Sequence, residues 1–283
     1  MLTIWDRFQR GHGISLLVPF RCPDQASVRA MNWRWLERYW RAQLPGAEIV
    51  MGQDSIASAS GCLEPPVPFS KCCAVNDAAS RAKGDIFVIV DADGYVSASA
   101  VLFCAQKIRH ALKIGRRRWF VPYRHFYRLT EKAAAQVLES DPAHPYILPD
   151  PPATSDLQET TDTGVAMGHW YGAMIQIVPR QAFEEVGGWD QRFRGWGGED
   201  VAAMRATDTL YWRHSTIPAS VFHLWHPMLG SHSPIANYVD CNHRVWENQI
   251  RAGVNGRLAT RYYAAHGDRK RMRALVDEGK EIR

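Results

Sequence analysis

Apolar residues in this chain fall into two kinds of run: short unbroken blocks, and longer stretches in which they recur every third or fourth position. Residues 13–20, GISLLVPF, form a continuous block, the pattern of a strand buried on both faces. Residues 24–44 set Val28, Met31, Trp35, Leu36 and Tyr39 at helical spacing. AEIVMG, 47–52, predicts a second strand, followed by Gln53 and Asp54. A Pro-, Ser- and Gly-rich loop over 55–68 then leads to a helix over 69–82. GDIFVIVDADG, 84–94, is the strongest strand signal. A helix over 97–114 runs into the basic stretch 113–118, and RWFVPY, 118–123, predicts another strand. Residues 140–163 are rich in Pro, Asp and Thr, and a connection of that length is usually functional or mobile. GAMIQIVPRQAFEEVGGW, 172–189, returns to strand and then to a helix starting at Pro179. ASVFHLWHP, 219–227, is the last strand-like element, and beyond Ser231 the chain is polar and helical with a basic tail. Strands and helices alternating in this order predict an α/β fold, a mostly parallel sheet flanked by helices.

Composition narrows the class. The chain has 283 residues, enough for one large α/β domain with or without a modest extension. At 46% hydrophobic and 22% charged it lies far from disordered sequences. A net charge of +5 suits an anionic substrate. Of its 11 Trp residues most are expected in the core, with some left for platforms under sugars or bases. The six cysteines, Cys22, Cys62, Cys72, Cys73, Cys104 and Cys241, show neither a CxxC pair nor zinc-ligand spacing, which points to a reduced compartment. The first residues lack the apolar core of a signal peptide, and no apolar run approaches the ~20 residues of a membrane span. The expectation is a cytoplasmic protein.

Candidate chemistry begins at Asp91-Ala92-Asp93. In open α/β sheets ligands bind at the carboxyl ends of strands. The two-residue period of an extended chain would put Asp91 and Asp93 on one side, just past the apolar run. Two carboxylates there repel unless a cation bridges them, and Mg²⁺ or Mn²⁺ is commonly held by one or two carboxylates together with phosphate oxygens. The second group is VGGWDQRFRGWGGEDVAAMRA, 186–206. It sets Trp196 among three glycines and follows it with Glu199 and Asp200 at the start of a helical pattern. Two acidic residues at a helix start also complement the helix dipole, but that leaves the Trp-Gly-Gly ahead of them unexplained.

Taken together, these segments resemble the GT-A glycosyltransferases. The likeness is greatest to the β-1,4-galactosyltransferase group and to the related polypeptide N-acetylgalactosaminyltransferase and chondroitin-polymerase domains. The pattern is a Gly-Gly-aromatic-Asp segment followed by Trp-Gly-Gly-Glu-Asp/Asn, matched here by Gly187, Gly188, Trp189, Asp190, Trp196, Gly197, Gly198, Glu199 and Asp200. SLLVPFR and VNDAASRAKGDIFVIVDADG also resemble the nucleotide half of family-2 transferases. The resemblance spans roughly 14–227. It implies a GT-A domain over 1–235, with a nucleotide half near 13–125 and an acceptor half near 165–230, and a basic helical extension over 236–283.

By that resemblance the donor is a UDP-sugar and the cofactor Mn²⁺ or Mg²⁺. Pro19, Phe20, Arg21 and Asp54 would line the uracil and ribose, with Lys71 and Asn76 facing the nucleotide. Asp91, Asp93 and His223 would hold the metal, with His226 the alternative to His223. Trp170, Tyr171 and Gly172 would line the sugar pocket, and Trp196 would close over the sugar on a Gly197–Gly198 hinge. Glu199 would bond acceptor hydroxyls and Asp200 would act as general base of an inverting transfer. Two alternatives remain open. One is a retaining enzyme, since the polypeptide-transferase branch carries Asn where this chain has Asp200. The other is a non-catalytic module that binds sugar or nucleic acid. The acceptor, whether protein, glycan, small molecule or modified DNA, is left open, and the basic runs at 113–118 and 268–273 read either as solvated surface or as contacts to phosphates.

Overall fold

The computed structural model describes residues 10–21, 24–54, 69–158, 174–195, 197–227 and 254–280. Strand β1 (Ile14–Pro19) is buried along its whole length, as a run that is apolar apart from Ser15 demands, and the Ser15 hydroxyl donates to Glu48. Helix α1 (Val28–Gln43) follows, capped by Ser27, whose side chain accepts from the Ala30 backbone N–H. Strand β2 (Glu48–Gly52), helix α2 (Lys71–Arg81) and strand β3 (Ile86–Val90) complete the first unit. Then come β4 (Gly94–Tyr95), α3 (Ala98–Lys113), β5 (Phe120–Val121), β6 (His125–Arg128) and α4 (Glu131–Glu139). After a 3-10 turn at Thr154–Asp156 the chain forms β7 (Ile175–Pro179), α5 (Arg180–Val186) and α6 (Glu199–Leu210). Strands β8 (Ser215–Thr216) and β9 (Ser220–His223) precede a helical hairpin of α7 (Val254–Ala265) and α8 (Arg269–Lys280).

The main sheet runs β2-β1-β3-β7-β5-β8. β7 is antiparallel to both its neighbours, β3 and β5, while the pairs β1–β2, β1–β3 and β5–β8 are parallel. The sheet is therefore mostly parallel, with one reversed strand at its centre. A second, three-stranded sheet, β4-β9-β6, stands at the edge of the site and pairs Gly94 with His223. The α1 face supplies Trp33, Trp35, Leu36, Tyr39 and Trp40 to the core, with the Trp35 and Tyr39 rings stacked at 5.4 Å. Buried Trp119 and Trp189 likewise serve packing, and Cys72, Cys73 and Cys104 are buried free thiols. No helix among the described residues is long and apolar enough to cross a membrane.

The hairpin α7–α8 is packed into this body. The Asp190 carboxylate accepts from Arg192 and from the Tyr262 hydroxyl at 2.9 Å, and Arg192 reaches on to Leu275 O and Glu278 of α8. The expected boundary near 235 falls outside the described residues, and the hairpin beyond it is fastened to the segment that leads into α6.

Candidate functional site

Four pieces of chain meet at the carboxyl end of β3: the turn 91–94, the first turn of α2, the first turn of α6, and the end of β9 with the residues after it. The chain leaves extended geometry at Val90. Gly94 N–H returns to Asp91 O at 3.4 Å, and Leu224 N–H donates to Asp93 O at 2.7 Å. In this turn Asp91 and Asp93, expected to share one ion, stand against different side chains. The period of two ends with the strand, and each carboxylate takes its own partners.

Asp91 goes to Lys71, with Nζ 2.5 Å from Oδ1, and the same ammonium stands 3.8 Å from Glu199 Oε1. Lys71 thus bridges the aspartate after β3 and the glutamate that opens α6. Burial acts to lower its pKa, but the carboxylates of Asp91, Glu199 and Asp200 outweigh that and raise it. Burial raises Asp91 to about 6, with the Lys71 charge opposing and the Asp93 charge assisting. Burial and the neighbouring Asp200 raise Glu199 to about 7.

Asp93 faces the histidines. His226 Nε2 lies 3.3 Å from Oδ2 and His223 Nε2 lies 3.8 Å from Oδ1. Burial would raise the Asp93 pKa, but the two imidazoles and the Arg29 guanidinium reverse the effect and hold it below the ordinary carboxylate range. Burial lowers His223 to about 4, so its ring is neutral at physiological pH. One ligand atom each from Asp93, His223 and His226 lies within 4.8 Å of the others. An ionised carboxylate with imidazole nitrogens fits a divalent transition ion such as Mn²⁺ better than Mg²⁺, which prefers oxygen donors. The histidines expected as alternatives are brought to the carboxylate together, and Asp91 is not among the three. His223 Nδ1 is buried with no hydrogen-bond partner among the described residues.

Arg29, on the first turn of α1, was not marked by the sequence. Its Nη1 is 3.7 Å from Asp93 Oδ2 and its Nη2 is 3.3 Å from His226 Nε2. Nothing in a helical pattern singles it out; only the approach of α1 to Trp225 and His226, just after β9, does.

Helix α6 starts at Gly198, whose φ of +83° suits glycine, after Gly197 at φ +116°. Gly197 N–H donates to Glu199 Oε2 at 3.0 Å, which holds that side chain at the helix start. Asp200 is half-buried, and its backbone carbonyl accepts from Gln176 Nε2 of β7 at 3.2 Å. The stretch ahead of these glycines is pinned by two amides. Asn76 of α2 donates to Trp189 O at 2.7 Å and accepts from Trp189 N–H at 2.8 Å. Asn255 of α7 donates to Arg194 O at 2.8 Å and accepts from Arg194 N–H at 3.2 Å.

Other expected contacts fall elsewhere. Asn76, expected to face the nucleotide, has both ends of its amide bonded to the Trp189 backbone. Asp54 is buried, accepting from Ser70 N–H at 2.8 Å and pairing with Arg194 at 3.1 Å, so a short polar chain end became an internal anchor. Pro19 and Phe20 end β1 at the same sheet edge as Asp91, Ala92 and Asp93, and Arg21 is exposed there. Trp170, Tyr171, Gly172 and Trp196 lie outside the described residues.

The class of fold defined by these elements is a mostly parallel α/β sheet flanked by helices, with its polar cluster at the carboxyl edge. No family model matches the chain, and no curated protein does. Among solved structures it is similar to the catalytic domain of Drosophila β-1,4-galactosyltransferase 7 in complex with xylobiose, at 14% identity, covering 83% of this chain and 78% of that one with a TM-score of 0.39. A mutant of that enzyme with manganese, UDP-Gal and xylobiose matches at 14% identity over 82% and 73%, TM-score 0.34. S. aureus TarS 1–349 matches at 11% identity over 95% and 92%, TM-score 0.44. These scores are low, and the site is read from its own residues.

Proposed function

We propose that this chain is a metal-dependent glycosyltransferase that moves a hexose or N-acetylhexosamine from a UDP-sugar to an acceptor hydroxyl, with inversion. One observation carries the reading. Asp93 with His223 and His226, and Glu199 with Asp200, are far apart in sequence yet stand on one edge of the sheet, joined through Lys71 and Asp91. That assembly fits a reaction in which a diphosphate leaves on one side and a hydroxyl attacks on the other.

Asp93, His223 and His226 would hold the divalent ion, which when bound neutralises the charge growing on the leaving diphosphate. Pro19, Phe20 and Arg21 would border the uracil. As the acceptor oxygen bonds to the anomeric carbon, the carbon–oxygen bond to the diphosphate breaks. Its electron pair leaves with UDP, and the hydroxyl proton passes to Asp200. Glu199, raised to about 7, can donate or accept a hydrogen bond at neutral pH and so orient an acceptor hydroxyl. Lys71 keeps Asp91 and Glu199 together without titrating. Trp196, Trp170, Tyr171 and Gly172 are assigned to the sugar by family resemblance alone.

The test is a panel of UDP-sugars incubated without acceptor, with UDP release followed with and without Mn²⁺. Mn²⁺-dependent release from at least one donor, lost in Asp93→Ala, is the expected result. Failure of every donor, together with no UDP binding in the presence of Mn²⁺, overturns the reading.

A further inference from the structure

The candidate site makes no use of the two basic runs, at 113–118 and 268–273, yet the fold brings them together. Arg117 donates to Tyr211 O at 3.4 Å and its guanidinium lies 4.9 Å from the centre of the Tyr211 ring. Arg269 donates to Thr209 O at 3.1 Å. Both runs therefore land on the carboxyl end of α6, the helix whose first turn carries Glu199 and Asp200. Trp212, 57% exposed, and Arg213 follow that end directly. Tyr263 of α7 is 65% exposed, with the Arg205 guanidinium 4.3 Å from its ring centre. His214 and His266 sit between, 2.9 Å and 4.0 Å from the buried Asp208.

Cations at a helix carboxyl end complement its dipole, and that, with the Glu185 carboxylate 2.6 Å from Arg117, accounts for Arg117 and Arg269. It does not account for Lys113, Arg116, Arg118 and Arg213. These four are exposed, and none has a carboxylate in ion-pair range among the described residues. Nor does it account for a large indole left in water beside them.

We propose that this strip binds single-stranded nucleic acid, its guanidinium groups taking phosphates and Trp212 and Tyr263 stacking on bases. Phosphate recognition needs only the charges. The exposed rings decide between strand types, because a duplex hides its base faces whereas a single strand offers them. Helix α6 has 12 residues, so the strip and the Glu199–Asp200 end lie about 18 Å apart, the reach of a few nucleotides. That the bound strand is also the sugar acceptor rests on the transferase reading; that it binds does not.

Fluorescence anisotropy with a labelled oligothymidine on the full chain tests this, with the matching duplex, heparin and anionic vesicles as competitors. The single strand should bind most tightly. Arg116→Gln/Arg118→Gln/Arg213→Gln should weaken it at least tenfold and flatten the log–log salt slope by about 2, at ~0.7 for each phosphate no longer neutralised. Trp212→Ala should cost roughly 5- to 150-fold for one missing stack. All of these side chains are exposed, and unchanged circular dichroism together with unchanged acceptor-free UDP release separates impaired binding from impaired folding or chemistry. No binding at low salt, or duplex, heparin or vesicles competing as well as single strand with Trp212→Ala unaffected, overturns the proposal. Binding without any UDP-sugar turnover would uphold the strip and sink the transferase reading; turnover without binding would do the reverse.

Discussion

Glu199→Gln should make the protein more stable at alkaline pH while damaging its activity. Glu199 titrates at about 7 in the fold against 4.5 for the free side chain, and burial is the leading cause. The folded state therefore holds a proton that the unfolded chain has lost between those two values. Stability from this group is complete below pH 4.5 and drains away as pH rises to about 7. At ~1.4 kcal/mol per pH unit, ionised Glu199 costs the fold about 3 kcal/mol at pH 8. The side chain is only 8% exposed, so solvent screening does little to reduce this. Glutamine keeps the shape and can still accept from Gly197 N–H, but carries no charge to desolvate. Urea denaturation of both proteins at pH 5 and pH 8 measures the effect. The stability advantage of the variant should grow by about 2.5 kcal/mol across that interval. A constant difference between the two proteins would mean that Glu199 ionises as in water, and the reasoning from burial would be wrong.

Asp93→Ala should abolish Mn²⁺ binding in calorimetry and Asp91→Ala should weaken it far less, since Asp91 is engaged by Lys71; equal losses would return both carboxylates to one ion. Arg29→Gln should tighten Mn²⁺ binding in the absence of nucleotide by tenfold or more, because a cation is removed from beside Asp93, and unchanged affinity would show that the guanidinium moves aside freely. Asp200→Asn should lower kcat by ~10²–10⁴ with donor affinity kept, and a near-normal kcat would favour a retaining mechanism.

The parts of this molecule legible in its sequence are those fixed by local pattern. β1 and β3 are buried on both faces, so their runs are apolar save for Ser15 and their ends are marked by polar residues. The direction of β7 was not legible, because IQIVP reads the same whether the strand runs up or down the sheet. Strands of two to four residues, as in the small sheet β4-β9-β6, are too short to show a period at all. The segregation of Asp91 from Asp93 depends on a turn just past the strand, and the roles of Asn76 and Asn255 depend on what lies across the fold. Lys71 did leave a trace. A lysine in the first turn of a helix opposes the dipole, and that local cost hints at carboxylates beyond the helix that the sequence does not name.

The two asparagine clamps tie one stretch to parts of the chain made at very different times. Residues 189–194 are held from one side by α2, made long before them, and from the other by α7, made long after. During synthesis earlier chain can already hold this stretch at both ends, Asn76 at Trp189 and Asp54, Ser70 and Phe69 at 193–195, and Asn255 adds the last hold when α7 docks. A nascent chain halted before Asn255 would therefore carry this stretch already tied to the sheet edge, lacking the amide that α7 contributes.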